Sequence, residues 1–118
     1  MRWYNVATEE YMNENAVLNF IEDVLKDTCI DDYVDDEING FYLPYKCGDV
    51  EISGSRIFKE LEPYLYDQMR DEYLENLLQQ CIDELGLYEP TEGMTLYLFL
   101  SNVIPWEADE LRTVEARI

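Results

Sequence analysis

Residues 63–86 read PYLYDQMRDEYLENLLQQCIDELG, and this stretch predicts the longest helix of the chain, from about Tyr64 to Leu85. Pro63 suits the first helical position, and Gly86 suits the residue that follows the last one. Apolar side chains recur every three or four residues and form one broad face: Leu65, Met69, Tyr73, Leu74, Leu77, Leu78, Cys81, Ile82 and Leu85. The stretch therefore predicts an amphipathic helix that packs on the rest of the domain.

Three further helices are predicted around it. The first runs from Asn13 or Asn15, either of which can cap it, to about Asp27. A second is a short turn of helix at residues 56–61 with Ser55 as its N-cap. The last is opened by Pro105 and has four apolar residues on one side, namely Ala108, Leu111, Val114 and Ile118.

The remaining apolar stretches predict short strands. One strand is expected at Trp3–Val6, and an antiparallel hairpin at Gly40–Tyr45 and Val50–Ile52. Met94–Leu100 is interpreted as a buried strand, with a helix as the alternative because so short an apolar run fits both. The acid-rich segment Thr28–Asn39 is expected to be a loop.

Together these elements predict a single small α+β domain over residues 1–118, with three to four helices packed on a short antiparallel sheet. The length of 118 residues is that of one domain. Acidic chains are often disordered, but disorder goes with few apolar residues. Here 47% of the residues are hydrophobic and 14% are aromatic, so we expect a folded core.

The charge is strongly negative and unevenly placed. The chain has 27 Asp and Glu against 8 Lys and Arg, a net charge of −19, and no histidine. Residues 9–37 hold eleven of the carboxylates and only Lys26, and residues 60–92 hold ten and only Arg70. A field of this sign repels nucleic acid and anionic membranes, and it attracts proteins with basic grooves. We therefore expect no direct binding to either.

On the long helix, carboxylates gather opposite the apolar face, at Asp71, Glu72, Glu75 and Asp83. Asp71 and Glu75 are one turn apart, and such like-charge pairs cost about 0.2–0.5 kcal/mol. Their spacing of about 5–6 Å is comparable with that of phosphates along a nucleic-acid strand, so a row of them can stand in for a backbone. An ordinary solvated face in an acidic protein is the alternative.

The densest acid cluster, DDYVDDE at residues 31–37, has three interpretations. Calcium binding fits poorly: when Gly40 is placed at the invariant glycine of an EF-hand loop, Lys46 takes the position of the bidentate glutamate. A contact loop fits better, with acids that meet Arg or Lys on a partner and tyrosines that add apolar contact. A flexible charged loop is the third interpretation. The predicted partner-binding residues are Asp31, Asp32, Tyr33, Asp35, Asp36 and Glu37 here, and Asp71, Glu72 and Glu75 on the long helix.

Catalysis is not expected. Without histidine the chain has no Ser-His or Cys-His pair, and it has no glycine-rich phosphate loop. Cys29, Cys47 and Cys81 lack the spacing of a zinc site or a disulfide framework, so we expect buried free thiols, no metal and no cofactor. The N-terminal residues contain no apolar run of signal-peptide length, and Met94–Leu100 is too short to span a bilayer, so a cytoplasmic location is expected.

In size, charge and absence of catalytic motifs, the chain resembles the small acidic proteins by which phages and mobile elements disarm host defence. These include DNA-mimic anti-restriction proteins, acidic anti-CRISPR proteins and inhibitors of uracil-DNA glycosylase. The resemblance is one of type, carried by the acidic tracts 9–37 and 60–92, so no functional residue transfers from it. Residues 48–62, GDVEISGSRIFKELE, are also similar to short phage-encoded proteins of unknown function. The type implies occupation of a nuclease's DNA-binding groove.

The leading hypothesis is therefore a non-catalytic inhibitor, monomeric or homodimeric, of a basic nucleic acid-binding protein such as a CRISPR effector or a restriction enzyme. One alternative is an immunity protein that neutralises a basic toxin or nuclease. Another is a small structural or regulatory phage protein that forms a homodimer through the charge-neutral segments 38–59 and 93–118.

Overall fold

A computed structural model describes residues 2–118 of the chain and confirms the α+β class. The elements follow in the order β1 (Arg2–Asn5), β2 (Glu10–Met12), α1 (Glu14–Asp27), α2 (Asp31–Phe41), β3 (Tyr45–Cys47), β4 (Val50–Ile52), α3 (Gly54–Leu61), α4 (Pro63–Leu87), α5 (Leu96–Leu100), a 3₁₀ helix (Asp109–Thr113) and β5 (Val114–Arg117). The described residues thus form five α-helices, a three-stranded antiparallel sheet and a two-stranded one.

The residues group into two compact units. One combines the chain up to Thr28 with Asn76–Ile118, and the other is Cys29–Glu75. The long helix α4 contributes its first half to the second unit and its second half to the first. That residues 1–118 fold as a single domain stays a prediction.

The first unit is built on the sheet β2-β1-β5. Trp3 of the central strand lies opposite Met12 on one side and Ala116 on the other. The β1–β2 turn is held by the Asn5 side chain, whose Oδ1 accepts hydrogen bonds from the backbone N–H of Ala7 and Thr8 at 2.9 and 3.2 Å. The predicted first strand is therefore correct to within a residue.

Helix α1 also matches its prediction. Asn13 is the N-cap, and its Oδ1 accepts a hydrogen bond from the Ala16 N–H at 2.8 Å. The buried residues of α1 follow the helical period: Val17, Ile21, Val24 and Leu25. Burial of this stripe is what selects the helix, since a 14-residue helix is only marginally stable alone.

The C-terminal third differs from the predicted strand and helix. Met94–Leu100 is not a strand: Thr95 caps helix α5, with its side chain accepting a hydrogen bond from the Leu98 N–H. Leu96 and Leu100, one turn apart, are both fully buried. The helix predicted after Pro105 is a 3₁₀ turn at Asp109–Thr113, and Val114–Arg117 instead pairs with β1. The alternation of buried Val114 and Ala116 with half-exposed neighbours is the two-residue period of a strand.

In the second unit, the prediction of a loop at Thr28–Asn39 is wrong, because Asp31–Phe41 forms helix α2. Ile30, Val34 and Ile38 recur at four-residue spacing and are all buried. The sequence-based prediction missed this apolar stripe because acidic residues surround it in the sequence. Two of the acids, Asp31 and Asp32, lie in the first turn, where negative charge stabilises a helix.

A β-hairpin connects α2 to α3. Its first strand is Tyr45–Cys47 rather than Gly40–Tyr45, since residues 40 and 41 still belong to α2. Ser53 caps α3, two residues before the predicted cap Ser55, and its Oγ accepts a hydrogen bond from the Arg56 N–H at 3.4 Å. α2 and α3 run antiparallel, because the Ser55 N–H donates to Asn39 Oδ1 at 3.0 Å and Lys59 contacts Asp35.

Helix α4 begins at Pro63 as predicted but continues through Gly86 to Leu87, so Gly86 does not end it.

No helix within residues 2–118 combines the length and the apolar character needed to cross a membrane. Burial of the cysteines was predicted correctly for Cys81 only, since Cys29 and Cys47 are exposed. Burial raises the pKa of the Cys81 thiol to about 12, so that it stays protonated at neutral pH.

Candidate partner-binding surface

All nine predicted partner-binding residues lie in the unit Cys29–Glu75. Six are on α2, at Asp31, Asp32, Tyr33, Asp35, Asp36 and Glu37, and three are on the first half of α4, at Asp71, Glu72 and Glu75. The fold thus brings the end of one acidic tract and the beginning of the other into one unit. This proximity was not visible in the sequence.

Asp31 and Asp35 face the neighbouring helices and form ion pairs there. Asp31 Oδ1 lies 3.5 Å from Arg70 Nε on α4. Asp35 accepts hydrogen bonds from Lys59 Nζ at 2.6 Å and from the Tyr66 hydroxyl at 2.9 Å. The Asp35 side chain is only 21% exposed, which leaves little of it for a partner. These two acids therefore tie α2 to α3 and α4, and their contact with a partner stays a prediction.

Tyr66 completes this junction from the buried side. Its side chain is 7% exposed, and burial, reinforced by the hydrogen bond to Asp35, raises the pKa of its hydroxyl well above 10. The hydroxyl is consequently a donor at all physiological pH values. A buried donor without its acceptor is costly, so Asp35 is fixed in place.

The other α2 carboxylates point to solvent. Asp32, Asp36 and Glu37 are exposed, and Asp32 and Asp36 lie one turn apart on the face opposite Val34. Among the described residues, no Lys or Arg makes an ion pair with any of the three. Asp32 and Asp36 are therefore a like-charge pair at fixed spacing on a helix, which the predicted loop would not have held in place.

On α4 the exposed carboxylates form a row, here called the α4 row: Asp67, Asp71 and Glu75. Each is one helical turn from the next, and all three side chains are exposed. Asp67 is the residue that sequence reasoning missed, although its spacing of four from Asp71 was available. Glu72 lies beside the row and is 3.5 Å from Gln68 Nε2.

The cations of this unit do not neutralise the row. Lys59 and Arg70 are bound to the α2 acids, and Arg56 pairs with Glu60 at 3.1 Å on α3. Within residues 2–118, no ion pair involves Asp67, Asp71 or Glu75. The fourth cation of the unit, Lys46, is exposed on the β3–β4 hairpin and makes none of these ion pairs, so the outer carboxylates stay solvated.

Aromatic side chains accompany the carboxylates to different degrees. Tyr33 is half-buried on α2. Phe41 at the end of α2 is 79% exposed and Tyr64 at the start of α4 is 88% exposed. Tyr42 packs edge-to-face on Phe58 with ring centroids 5.1 Å apart. Exposed aromatic residues of this kind dominate the energetics of many protein interfaces.

The arrangement is not that of a metal site. Among the described residues, no group of three or more Asp, Glu or Cys side chains is placed to hold a metal ion. What the arrangement offers is a set of fixed, solvated negative charges on two helices.

Comparison with protein-family models, curated proteins and solved structures found no match to this chain.

Proposed function

We propose that the protein is a non-catalytic inhibitor that occupies the basic nucleic acid-binding groove of a host defence nuclease, either a CRISPR effector or a restriction enzyme. It would act as a DNA mimic in the cytoplasm of the host cell. The α4 row supports this proposal most directly: three exposed carboxylates stand one turn apart on a helix, where neighbouring like charges destabilise the fold. A lysine in the middle of the row would remove that cost without disturbing any buried residue.

The chemistry of the target makes such a row useful. A DNA-binding groove holds many Lys and Arg side chains, and much of its affinity comes from neutralising phosphates. Carboxylates at regular spacing can pair with the same cations. Opposite net charges also steer the two proteins together and raise the association rate by orders of magnitude at low salt.

The helical placement adds preorganisation. The carboxylates of the α4 row and those of α2 are carried by helices, so that little backbone freedom is lost when they meet a partner. The ion pairs of Asp31 and Asp35 fix α2 against its neighbours and keep the outer acids of α2 in place.

The direct test is inhibition of DNA cleavage by a panel of purified CRISPR and restriction nucleases. We expect stoichiometric inhibition of at least one of them, and binding that weakens steeply between about 0.05 and 0.5 M NaCl as charges are screened. Unchanged cleavage at a large molar excess of the protein, across the panel, would show the proposal to be wrong.

Charge-neutralised variants identify the contact surface. One variant carries Asp67→Asn, Asp71→Asn and Glu75→Gln, and a second carries Asp32→Asn, Asp36→Asn and Glu37→Gln. The matched control removes three exposed carboxylates of the other unit, by Asp23→Asn, Asp27→Asn and Glu89→Gln. We expect at least one of the first two to lose about tenfold or more in affinity, while the control loses much less. Equal losses in all three would mean that net charge alone matters and that neither set is a contact surface.

A further inference from the structure

The β3–β4 hairpin has one apolar and one charged face. Tyr45 pairs with Ile52, Lys46 with Glu51, and Cys47 with Val50. Since side chains alternate between the two faces of a strand, one face carries Tyr45, Cys47, Val50 and Ile52. The other carries Lys46 and Glu51. The apolar set is called the hairpin face below.

The hairpin face is open to solvent. Tyr45 is 61% exposed and Val50 is 59% exposed, while Cys47 is also exposed and Ile52 is half-buried. Each residue from Phe41 to Val50 is exposed, including Leu43 at 92%. A two-stranded hairpin is at best marginally stable without a layer on its apolar side. Apolar side chains grouped on one exposed sheet face are typical of a surface that another molecule covers.

The charge around the hairpin indicates what that molecule is. Residues 41–55, the hairpin and its flanks, hold one cation, Lys46, against two acids, Asp49 and Glu51, in a protein of net charge −19. The next cations, Arg56 and Lys59, are paired with Glu60 and Asp35. A basic partner is attracted to the carboxylates of α2 and α4 and finds little negative charge here. A second copy of this acidic chain, in contrast, meets the least repulsion at this segment.

We propose that the hairpin face is a homodimer contact, in which the hairpins of two copies stack face to face around a twofold axis. Stacked sheets lie about 10 Å apart with their inner side chains interdigitated, so Tyr45 and Val50 of both copies become buried. Such a contact is self-complementary, as a twofold axis requires. Lys46 and Glu51 stay on the outer faces, in water. The contact does not depend on the proposed inhibitor function.

Sedimentation equilibrium of the full chain tests the contact with two variants of equal charge. Val50→Asp and Lys46→Gln each make the net charge more negative by one, but only Val50→Asp places the change on the hairpin face. We expect wild-type dimers whose dissociation constant falls as NaCl rises, because salt screens the repulsion between two anions. Val50→Asp should raise that dissociation constant about tenfold or more, and Lys46→Gln should change it by about twofold at most. Nuclease binding should show the opposite salt dependence, so the two proposals fail separately.

A crosslinking measurement covers the case in which Val50→Asp does not fold, which circular dichroism would reveal. With Cys81 buried, Cys29→Ser leaves Cys47 as the exposed thiol, and Cys47→Ser leaves Cys29. A short bismaleimide should join two chains of Cys29→Ser much more efficiently than two chains of Cys47→Ser.

A wild-type protein that stays monomeric at high concentration and high salt would overturn the homodimer. If Val50→Asp then also weakens nuclease inhibition, the hairpin face belongs to the nuclease contact instead. An equal effect of Val50→Asp and Lys46→Gln on association would also overturn the homodimer, as would equal crosslinking through both cysteines.

Discussion

At the scale of single residues, neighbouring acids of α2 have different roles. Asp35 accepts hydrogen bonds from Lys59 and from the buried Tyr66 hydroxyl, whereas Asp36 faces solvent. We expect Asp35→Asn to lower the free energy of unfolding by about 1–2 kcal/mol, because a charged acceptor of two hydrogen bonds is lost. Asp36→Asn removes the same charge and should leave stability unchanged or slightly raised. Urea unfolding measures both, and equal midpoints would contradict the assignment of Asp35 as the residue that fixes α2.

The residue scale also shows what a sequence can and cannot predict about a surface. The exposed acids Asp71, Glu72 and Glu75 were predicted from helical spacing alone, and Asp67 was missed although the same spacing of four residues includes it. The ion pairs of Asp31 and Asp35 were not predictable, since their partners Arg70 and Lys59 are far along the chain and meet them only in the folded unit.

At the scale of elements, the sequence and the structure differ on where α4 ends. The sequence predicted that Gly86 follows the last helical residue. The structure places Gly86 inside α4, with no atom within 4 Å of an added Cβ. Gly86→Ala should therefore raise the free energy of unfolding by about 0.5–1 kcal/mol, by the difference in helix propensity. Gly93→Ala is the control: Gly93 has φ +80°, which alanine adopts only with strain, so stability should fall. If Gly86→Ala also destabilises, α4 ends at Gly86 as the sequence suggested.

The α4 row allows a prediction in which stability and function change in opposite directions. Asp71→Lys converts two like-charge neighbours, Asp67 and Glu75, into opposite-charge neighbours one turn away. We expect the free energy of unfolding to rise by about 0.5 kcal/mol or more and inhibition to weaken. Thermal unfolding and the cleavage assay give the two readouts. A stabilised variant with full inhibitory strength would mean that the row is an ordinary solvated face.

Element prediction succeeded where local signals agreed and failed where tertiary context decided. Helix α1 has a cap and an apolar stripe that coincide, and its bounds were predicted closely. Helix α2 was missed because acidic residues surround its apolar stripe of Ile30, Val34 and Ile38. The apolar run Met94–Leu100 is too short for the spacing of its apolar residues to distinguish a strand from a helix. The N-cap at Thr95 favours the helix that the structure has. Strand β5 forms because it pairs with β1, which lies at the other end of the sequence, and no local pattern predicts that pairing.

At the scale of the whole molecule, the net charge of −19 opposes folding through self-repulsion. Raising NaCl from about 0.05 to 0.5 M should therefore stabilise the protein against urea, because the screening length becomes shorter than the spacing of most surface charges. Salt also screens the surface ion pairs, but they are few and each contributes little to the free energy of unfolding. Unfolding midpoints that fall with NaCl would show that the ion pairs outweigh the repulsion.

The most direct measurement of the central proposal is displacement of DNA from an inhibited nuclease. Labelled target DNA bound to the nuclease is titrated with the protein, and its anisotropy is followed. We predict that DNA is released as about one equivalent of protein is added, and that the variant with a neutralised α4 row or the variant with neutralised α2 acids releases it only at much higher concentration. A nuclease that is inhibited while its DNA stays bound, or DNA that is never displaced, would contradict occupation of the groove.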